Sequence, residues 1–196
     1  MRRVILMAVL ALALPVAAFA NSSIDYTNAG GTLTGTSAGL SLTGSTVGIF
    51  INSSGGMTTG NLGTLTFSTG ALTGDLAKGG SFAAGGSFVI TGSNGVPTFT
   101  GAFDSPATWT LTTLGNGTHS YTLSGTISGT LGSGFSTVGS TVQMTFNTGH
   151  GFFTGSTSIP VSGDTNILVP EPGTLGLLGT GLVGIAGLVR RKLKMG

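Results

Sequence analysis

The sequence predicts an all-β fold, an antiparallel β-sandwich or barrel-like ectodomain flanked by an N-terminal signal helix and a C-terminal transmembrane helix. Three observations carry this. Between residues 21 and 168 the large apolar residues recur at period two, and no helical period of useful length is present. Clusters of Gly, Ser and Asn break these runs at strand-like spacing. The longest unbroken apolar runs lie near the two ends of the chain, each beside a basic cluster.

Residues 1–20 read as a cleavable export signal. Met1-Arg2-Arg3 is a basic start, Val4 to Leu14 is apolar, Pro15 breaks the run, and Ala18-Phe19-Ala20 is an A-x-A cleavage site. The apolar run is shorter than the roughly 20 residues that a spanning helix needs. Cleavage after Ala20 makes Asn21 the mature N-terminus, so Ala18, Ala20 and Asn21 define the site of signal peptidase action. The arginine pair lacks the rest of a twin-arginine motif, which favours the general secretory route.

Residues 21–168 form the ectodomain. Its first part, 21–38, is poor in large apolar residues and is expected to be a loose arm or an edge strand. After it Leu40 and Leu42 alternate with Ser and Thr, and Val47 to Ile51 follows. Then come Leu62, Leu65 and Phe67, then Phe82, Phe88-Val89-Ile90 and Phe99 to Phe103. Trp109 and Leu111, Tyr121, Leu123 and Ile127, and Val142, Met144 and Phe146 continue the series before Phe152-Phe153. Period two with Thr on the opposite face is the pattern of a half-buried strand. Ser54-Gly55-Gly56, Ala84-Gly85-Gly86, Ser93-Asn94-Gly95 and Gly115-Asn116-Gly117 supply turns. Many short strands at this spacing indicate a sandwich or barrel. Recurrent Thr-Gly and Ser-Gly units without a fixed period make a β-solenoid the runner-up.

Charge narrows the function. The chain has 196 residues, 37 of them Gly and none Cys, and only 6% are charged, whereas about 25% is usual in soluble domains. The formal charge of +2 comes from the ends. Between 21 and 168 one Lys (Lys78) faces four Asp (Asp25, Asp75, Asp104, Asp164), a net −3. No basic patch exists there to neutralise phosphates, so a nucleic-acid partner is excluded. Without Cys there is no disulfide framework or thiolate metal site.

Chemistry has few candidates. His119 follows a turn and His150 lies in Gly149-His150-Gly151; both read as solvated loop residues. The Gly-x-Ser-x-Gly run of residues 35–39 is followed by no helical period, so no strand-to-helix elbow positions a nucleophile. The aspartates stand apart, without the spacing of a calcium loop, and Asp104 before Ser105-Pro106 reads as a turn former. Trp109 shares a strand face with Leu111, which makes it a core residue before a sugar platform. The expectation is a chain with no enzymatic activity, no catalytic residue, no metal and no cofactor.

Residues 169–196 form a second sorting element. Val169-Pro170-Glu171-Pro172-Gly173-Thr174 precedes an apolar, Gly-rich run from Leu175 to Val189, and Arg190-Arg191-Lys192 with Lys194 closes it. The run is short for a bilayer, but Arg and Lys side chains snorkel and extend its reach. The basic cluster should stay cytoplasmic, which places 21–168 outside the inner membrane. Proline disfavours helix for the residue before it, so Pro172 keeps Glu171 extended. These residues, in this order and spacing, resemble the PEP-CTERM sorting signal. The resemblance implies that Val169, Pro170, Glu171 and Pro172 are read by an exosortase and that Arg190, Arg191 and Lys192 are the membrane stop. It also implies an exported protein of a Gram-negative-type, exopolysaccharide-making bacterium, held in the inner membrane as an intermediate and then placed at the cell surface or in the extracellular matrix.

Two functions follow as expectations. One is a structural protein, associated with exopolysaccharide and biofilm matrix through hydroxyl-covered strand faces. The alternative is a dedicated carbohydrate- or ligand-binding module, which needs a groove with exposed aromatics, Trp109 or Phe152-Phe153, or a bound cation. Strand edges with almost no charged gatekeepers also raise the prospect of self-assembly.

Overall fold

The structure, a computed structural model, describes residues 22–52, 54–157 and 161–169, with Gly181 and Gly184. Its β unit runs Ser23–Val169. In chain order the strands are β1 (Ser22–Ala29), β2 (Thr32–Thr36), β3 (Gly39–Ile51), β4 (Met57–Ser68), β5 (Leu72–Asp75), β6 (Gly79–Phe82) and β7 (Gly85–Gly92). They continue as β8 (Pro97–Phe103), β9 (Ala107–Thr113), β10 (His119–Leu131), β11 (Ser136–Asn147), β12 (Ser156–Thr157) and β13 (Ser162–Val169). The signal helix and transmembrane helix expected from the sequence fall outside the described residues. No described helix is long and apolar enough to cross a membrane.

Eight strands close into a barrel in the order β11-β13-β1-β3-β4-β7-β8-β10, with β10 pairing back onto β11. An even number of staves lets each one run antiparallel to both neighbours, and eight is a width that side chains alone can fill. Period two does the filling. Leu65 and Phe67, Phe88 and Ile90, Phe99 and Phe103, Leu123 and Ile127, and Val142, Met144 and Phe146 all point inward and are buried. The run Phe88-Val89-Ile90 is thus an alternation too, with Val89 on the outer side. Antiparallel pairing throughout removes the solenoid reading, which needs parallel coils.

Two strands are longer than the rest, and their extra length branches the barrel. β10 lies along β11 from Ser120 to Thr130, while its other edge is shared: His119–Ser124 pair β9 and Ile127–Leu131 pair β8. β3 divides in the same way, with Thr46–Ile51 on β1 and Gly39–Thr43 on β2. One end of the barrel therefore opens into two flaps, β2–β12 and β9–β6–β5. An aromatic cluster fills the space between them. Trp109 stacks on Tyr121 at 5.2 Å and meets Phe146, Phe153 and Phe82 within 6 Å. Its indole N–H donates to the carbonyl of Leu76 at 2.9 Å. The Tyr121 hydroxyl donates to the carbonyl of Ala77 at 2.8 Å and accepts the N–H of Phe153 at 3.1 Å. These bonds tie the β5–β6 turn and the segment after β11 to the core.

The opposite end holds the β3–β4, β7–β8 and β10–β11 hairpins, together with the start of β1 and the end of β13. Gly55, Gly95 and Gly134 take positive φ in those hairpins, where a Cβ would be strained.

The stretch expected to be a loose arm or edge strand is neither over most of its length. β1 is an interior stave between β13 and β3. Its inward residues include Tyr26 and Asn28, and too few large apolar residues face inward to betray the pattern. Asn28 is buried and donates to Ser45 Oγ at 2.7 Å. Only β2, on its flap, is peripheral. β13 also lies past the alternating series read from the sequence, because two of its three inward positions are Gly163 and Thr165.

Candidate functional site

Period two that points apolar residues inward also points Ser, Thr, Asn, Gln and Asp outward, and register lines them up across strands. On β9, β10, β11, β13 and β1 these outward residues form rows. Thr108 faces Ser124, Ser124 faces Gln143, and Gln143 faces Asp164. In the neighbouring row Thr126 faces Thr141, and Thr141 faces Asn166. Side chains then carry the rows onto β1: Thr27 Oγ1 donates to Asp164 at 3.5 Å and Asn166 Nδ2 donates to Asp25. Thr122 and Thr145 hydroxyls meet at 3.2 Å in a third row. Five strands at about 4.8 Å separation make a wall roughly 19 Å across.

The wall is not flat. Two open depressions of about 480 and 430 Å³ lie on it and share Gln143 and Asp164. Asp25, Thr27 and Thr145 line the first; Ser105, Thr126, Thr141 and Asn166 are among those lining the second. Asp104 stands beside the second depression. Ser128 and Thr126 hydroxyls donate to its carboxylate, and these bonds hold it below its ordinary range against a small opposing effect of burial. Hydroxyls, amides and carboxylates dominate this surface, with Ile51, Pro106 and Val142 the only large apolar residues among those lining the depressions. No aromatic ring and no cationic side chain lines either depression. Such a surface can donate and accept many weak hydrogen bonds; it has no stacking plane and no pocket that encloses a small molecule.

The histidines do not assemble a reactive group. His119 is buried, not solvated as the sequence suggested. It pairs with Thr113 across the β9–β10 hairpin, sits 3.1 Å from the Thr113 hydroxyl, and is covered by Phe152 at a ring separation of 4.3 Å. The hairpin register and the Phe152 cover were not readable from the residues around His119. His150 is exposed, with Nδ1 3.2 Å from the carbonyl of Gly117. Among the described residues neither ring contacts an aspartate, and no three His, Cys, Asp or Glu side chains converge on a metal position. Trp109 is 2% exposed and Phe153 is equally buried, whereas Phe152 is 53% exposed beside His119.

The second feature is where the chain leaves the barrel. β13 ends at Val169, whose side chain packs against the core. Val169 is thus a structural residue as well as the first residue of the expected sorting element. Pro170, Glu171, Pro172, Arg190, Arg191 and Lys192 lie outside the described residues, as do Ala18, Ala20 and Asn21. Over residues 168–192 the chain matches the family model of the PEP-CTERM protein-sorting motif. The chain carries a PEP-CTERM sorting motif. This motif marks it as an exported protein targeted to an exosortase through a membrane-anchored intermediate. No curated protein matches the chain. No solved structure matches it either. The PEP-CTERM match begins at Leu168, inside β13, so the last strand of the barrel and the sorting motif share two residues.

Proposed function

We propose that this PEP-CTERM chain is a non-catalytic surface or extracellular-matrix protein of a Gram-negative-type bacterium, released or anchored by an exosortase and associated with exopolysaccharide through its outer wall. The observation that carries the reading is the row structure across β9, β10, β11, β13 and β1. It offers hydroxyl, amide and carboxylate groups in register over a wide, open surface. A sugar polymer presents hydroxyls at a comparable density, and many weak contacts along one chain sum to useful avidity. The wall carries carboxylates and no cation, so repulsion selects neutral polymers over uronic-acid-rich ones.

The alternative, a dedicated carbohydrate- or ligand-binding module, has less support. Its aromatic route is weakened because Trp109 and Phe153 are committed to the core while Phe152 covers His119, and its cation route because no three His, Cys, Asp or Glu side chains converge among the described residues.

Retention on the exopolysaccharide of the producing bacterium tests the proposal. Ser124→Ala, Thr141→Val and Gln143→Leu together strip one part of the wall. At about 0.5–1.5 kcal/mol for each hydrogen bond lost, retention should fall roughly tenfold or more. Equal retention of the triple variant, or tighter binding to a uronic-acid polymer than to a neutral one, would overturn it.

A further inference from the structure

The hairpin end is the mouth of the barrel, and one half of that mouth is not filled. A cavity of about 190 Å³ lies there, lined by residues of five adjacent staves, β1, β3, β4, β7 and β8. Register explains the gap. Ile90 stands between Leu65 and Phe99, and all three are buried. One step further along the same inward rows Gly63 faces Gly92, and neither supplies a side chain. Bulges frame the gap: the register shifts after Thr27 between β1 and β3, after Val47 between β3 and β4, and after Ile90 between β7 and β8. Bulges at a barrel rim re-aim side chains, and the last of these leaves Thr98 as the extra residue.

Tyr26 and Thr98 close the cavity on its open side. β1 and β8 are four staves apart in the eight-stave barrel, so they stand opposite each other, and the Tyr26 hydroxyl crosses the mouth to bond with Thr98. The Thr98 hydroxyl donates to the carbonyl of Ile90 at 3.2 Å. With that proton committed, the Thr98 oxygen accepts from Tyr26, and the Tyr26 oxygen keeps lone pairs for a third group. Val47 and Ile90, both buried, form the base; Phe50 and Leu62 are half-buried at the sides, and Thr58 is exposed at the opening. No charged side chain lines the cavity.

We propose that this cavity binds a small neutral molecule built on one aromatic ring and carrying one hydroxyl group, with the ring beside Phe50, Leu62 and Ile90 and the hydroxyl donating to the Tyr26 oxygen. Size sets the class. An apolar cavity of roughly 150 Å³ is enough for benzene, so this one holds a ring and a small substituent. The Tyr26 and Phe50 rings lie 5.3 Å apart and inclined at 56°, and a third ring beside Phe50 extends that pair at the spacing aromatic rings favour. A rigid ring loses less freedom on binding than an alkyl chain of the same volume. An ionised ligand would lose its hydration with no opposite charge to replace it, which selects against carboxylates and amines. Polysaccharide association on the wall does not enter this argument.

Titration of the methyl-labelled full chain with 4-methylphenol, followed by NMR, tests the proposal. Ring currents from the bound phenol should shift the methyls of Val47, Leu62 and Ile90 saturably, while those of Ile127 and Val142, on β10 and β11, stay in place. Leu62→Trp, which puts a larger side chain at the cavity wall, should abolish the shifts at Val47 and Ile90. Tyr26→Phe keeps the ring and removes the hydroxyl partner, so 4-methylphenol should bind about fivefold more weakly, the share of one hydrogen bond, while toluene binds as it does to the parent. The absence of a saturable shift in the parent, or unchanged affinity in Leu62→Trp, would overturn the proposal. Benzoate binding as tightly as 4-methylphenol would overturn it too. An equal loss of toluene and 4-methylphenol in Tyr26→Phe would show that Tyr26 shapes the cavity without reading the hydroxyl, which overturns the class of ligand assigned.

Discussion

Replacing Tyr121 with Phe removes one oxygen atom from the middle of the flap end. That oxygen makes two bonds, donating to Ala77 at 2.8 Å and accepting from Phe153 at 3.1 Å. The ring keeps its stacking on Trp109 and Phe146, so the loss is polar only. The N–H of Phe153 is buried and is left without its acceptor, which costs about 1–3 kcal/mol. The carbonyl of Ala77 sits at a turn where water can reach it, and its lost bond costs about 0.5–1.5 kcal/mol. The two add to roughly 1.5–4.5 kcal/mol. For a domain of this size each kcal/mol moves Tm by about 2–4 °C, so Tm should fall by about 3–18 °C. Thermal unfolding followed by the fluorescence of Trp109, the chain's one Trp, reads this directly. A Tyr121→Phe variant whose Tm stays within about 1 °C of the parent would mean that the flaps are not held by these bonds, and the account of the flap end would fail.

Two further predictions come from the barrel. Burial raises the pKa of Tyr26 above 10.0, against a smaller opposing effect of its hydrogen bond with Thr98. The folded protein thus favours the neutral phenol; this stabilisation is complete below the unfolded value and is lost as pH rises through the folded one. Denaturant midpoints measured from pH 8 upward should fall above about pH 10, where an unfolded tyrosine ionises, and Tyr26→Phe should flatten that fall. Gly63 lies at a bulge of β4 against β3 with φ of +143°, and a Cβ there would come within 1.9 Å of the Thr91 carbonyl. Gly63→Ala should therefore destabilise by more than about 1 kcal/mol, seen as a lower urea midpoint, whereas Gly115→Ala, in open space, should leave the midpoint in place.

Most of the barrel was legible because its inward positions are large and apolar at strict period two, as in Val142, Met144 and Phe146. The turns at Asn94-Gly95 and Asn116-Gly117 were legible because a tight hairpin needs positive φ, and Gly supplies it. β1 and β13 were not, for one shared reason. They face each other across the closure of the barrel with small or polar inward residues, Asn28 against Gly163 and Thr165. A Cβ at Gly163 would lie 2.4 Å from Asn28 Oδ1, so that seam works by close approach and not by apolar bulk. Pattern reading sees bulk and misses close approach. The wall shows the opposite limit. Each Thr and Ser on it was visible in the sequence as the polar half of an alternation, but which ones stand side by side depends on register between strands far apart in the chain, such as Gln143 with Asp164. The sorting motif needed no fold at all, since its information lies in order and spacing along the chain.

The most direct test of the account is the mass and terminal peptides of the native protein, recovered separately from membranes and from the extracellular matrix. Export followed by exosortase processing predicts a matrix form that begins at Asn21 and ends near Pro170. A chain found only in membranes and still carrying Arg190 to Gly196 would contradict it, because the PEP-CTERM motif would then be serving as a plain anchor.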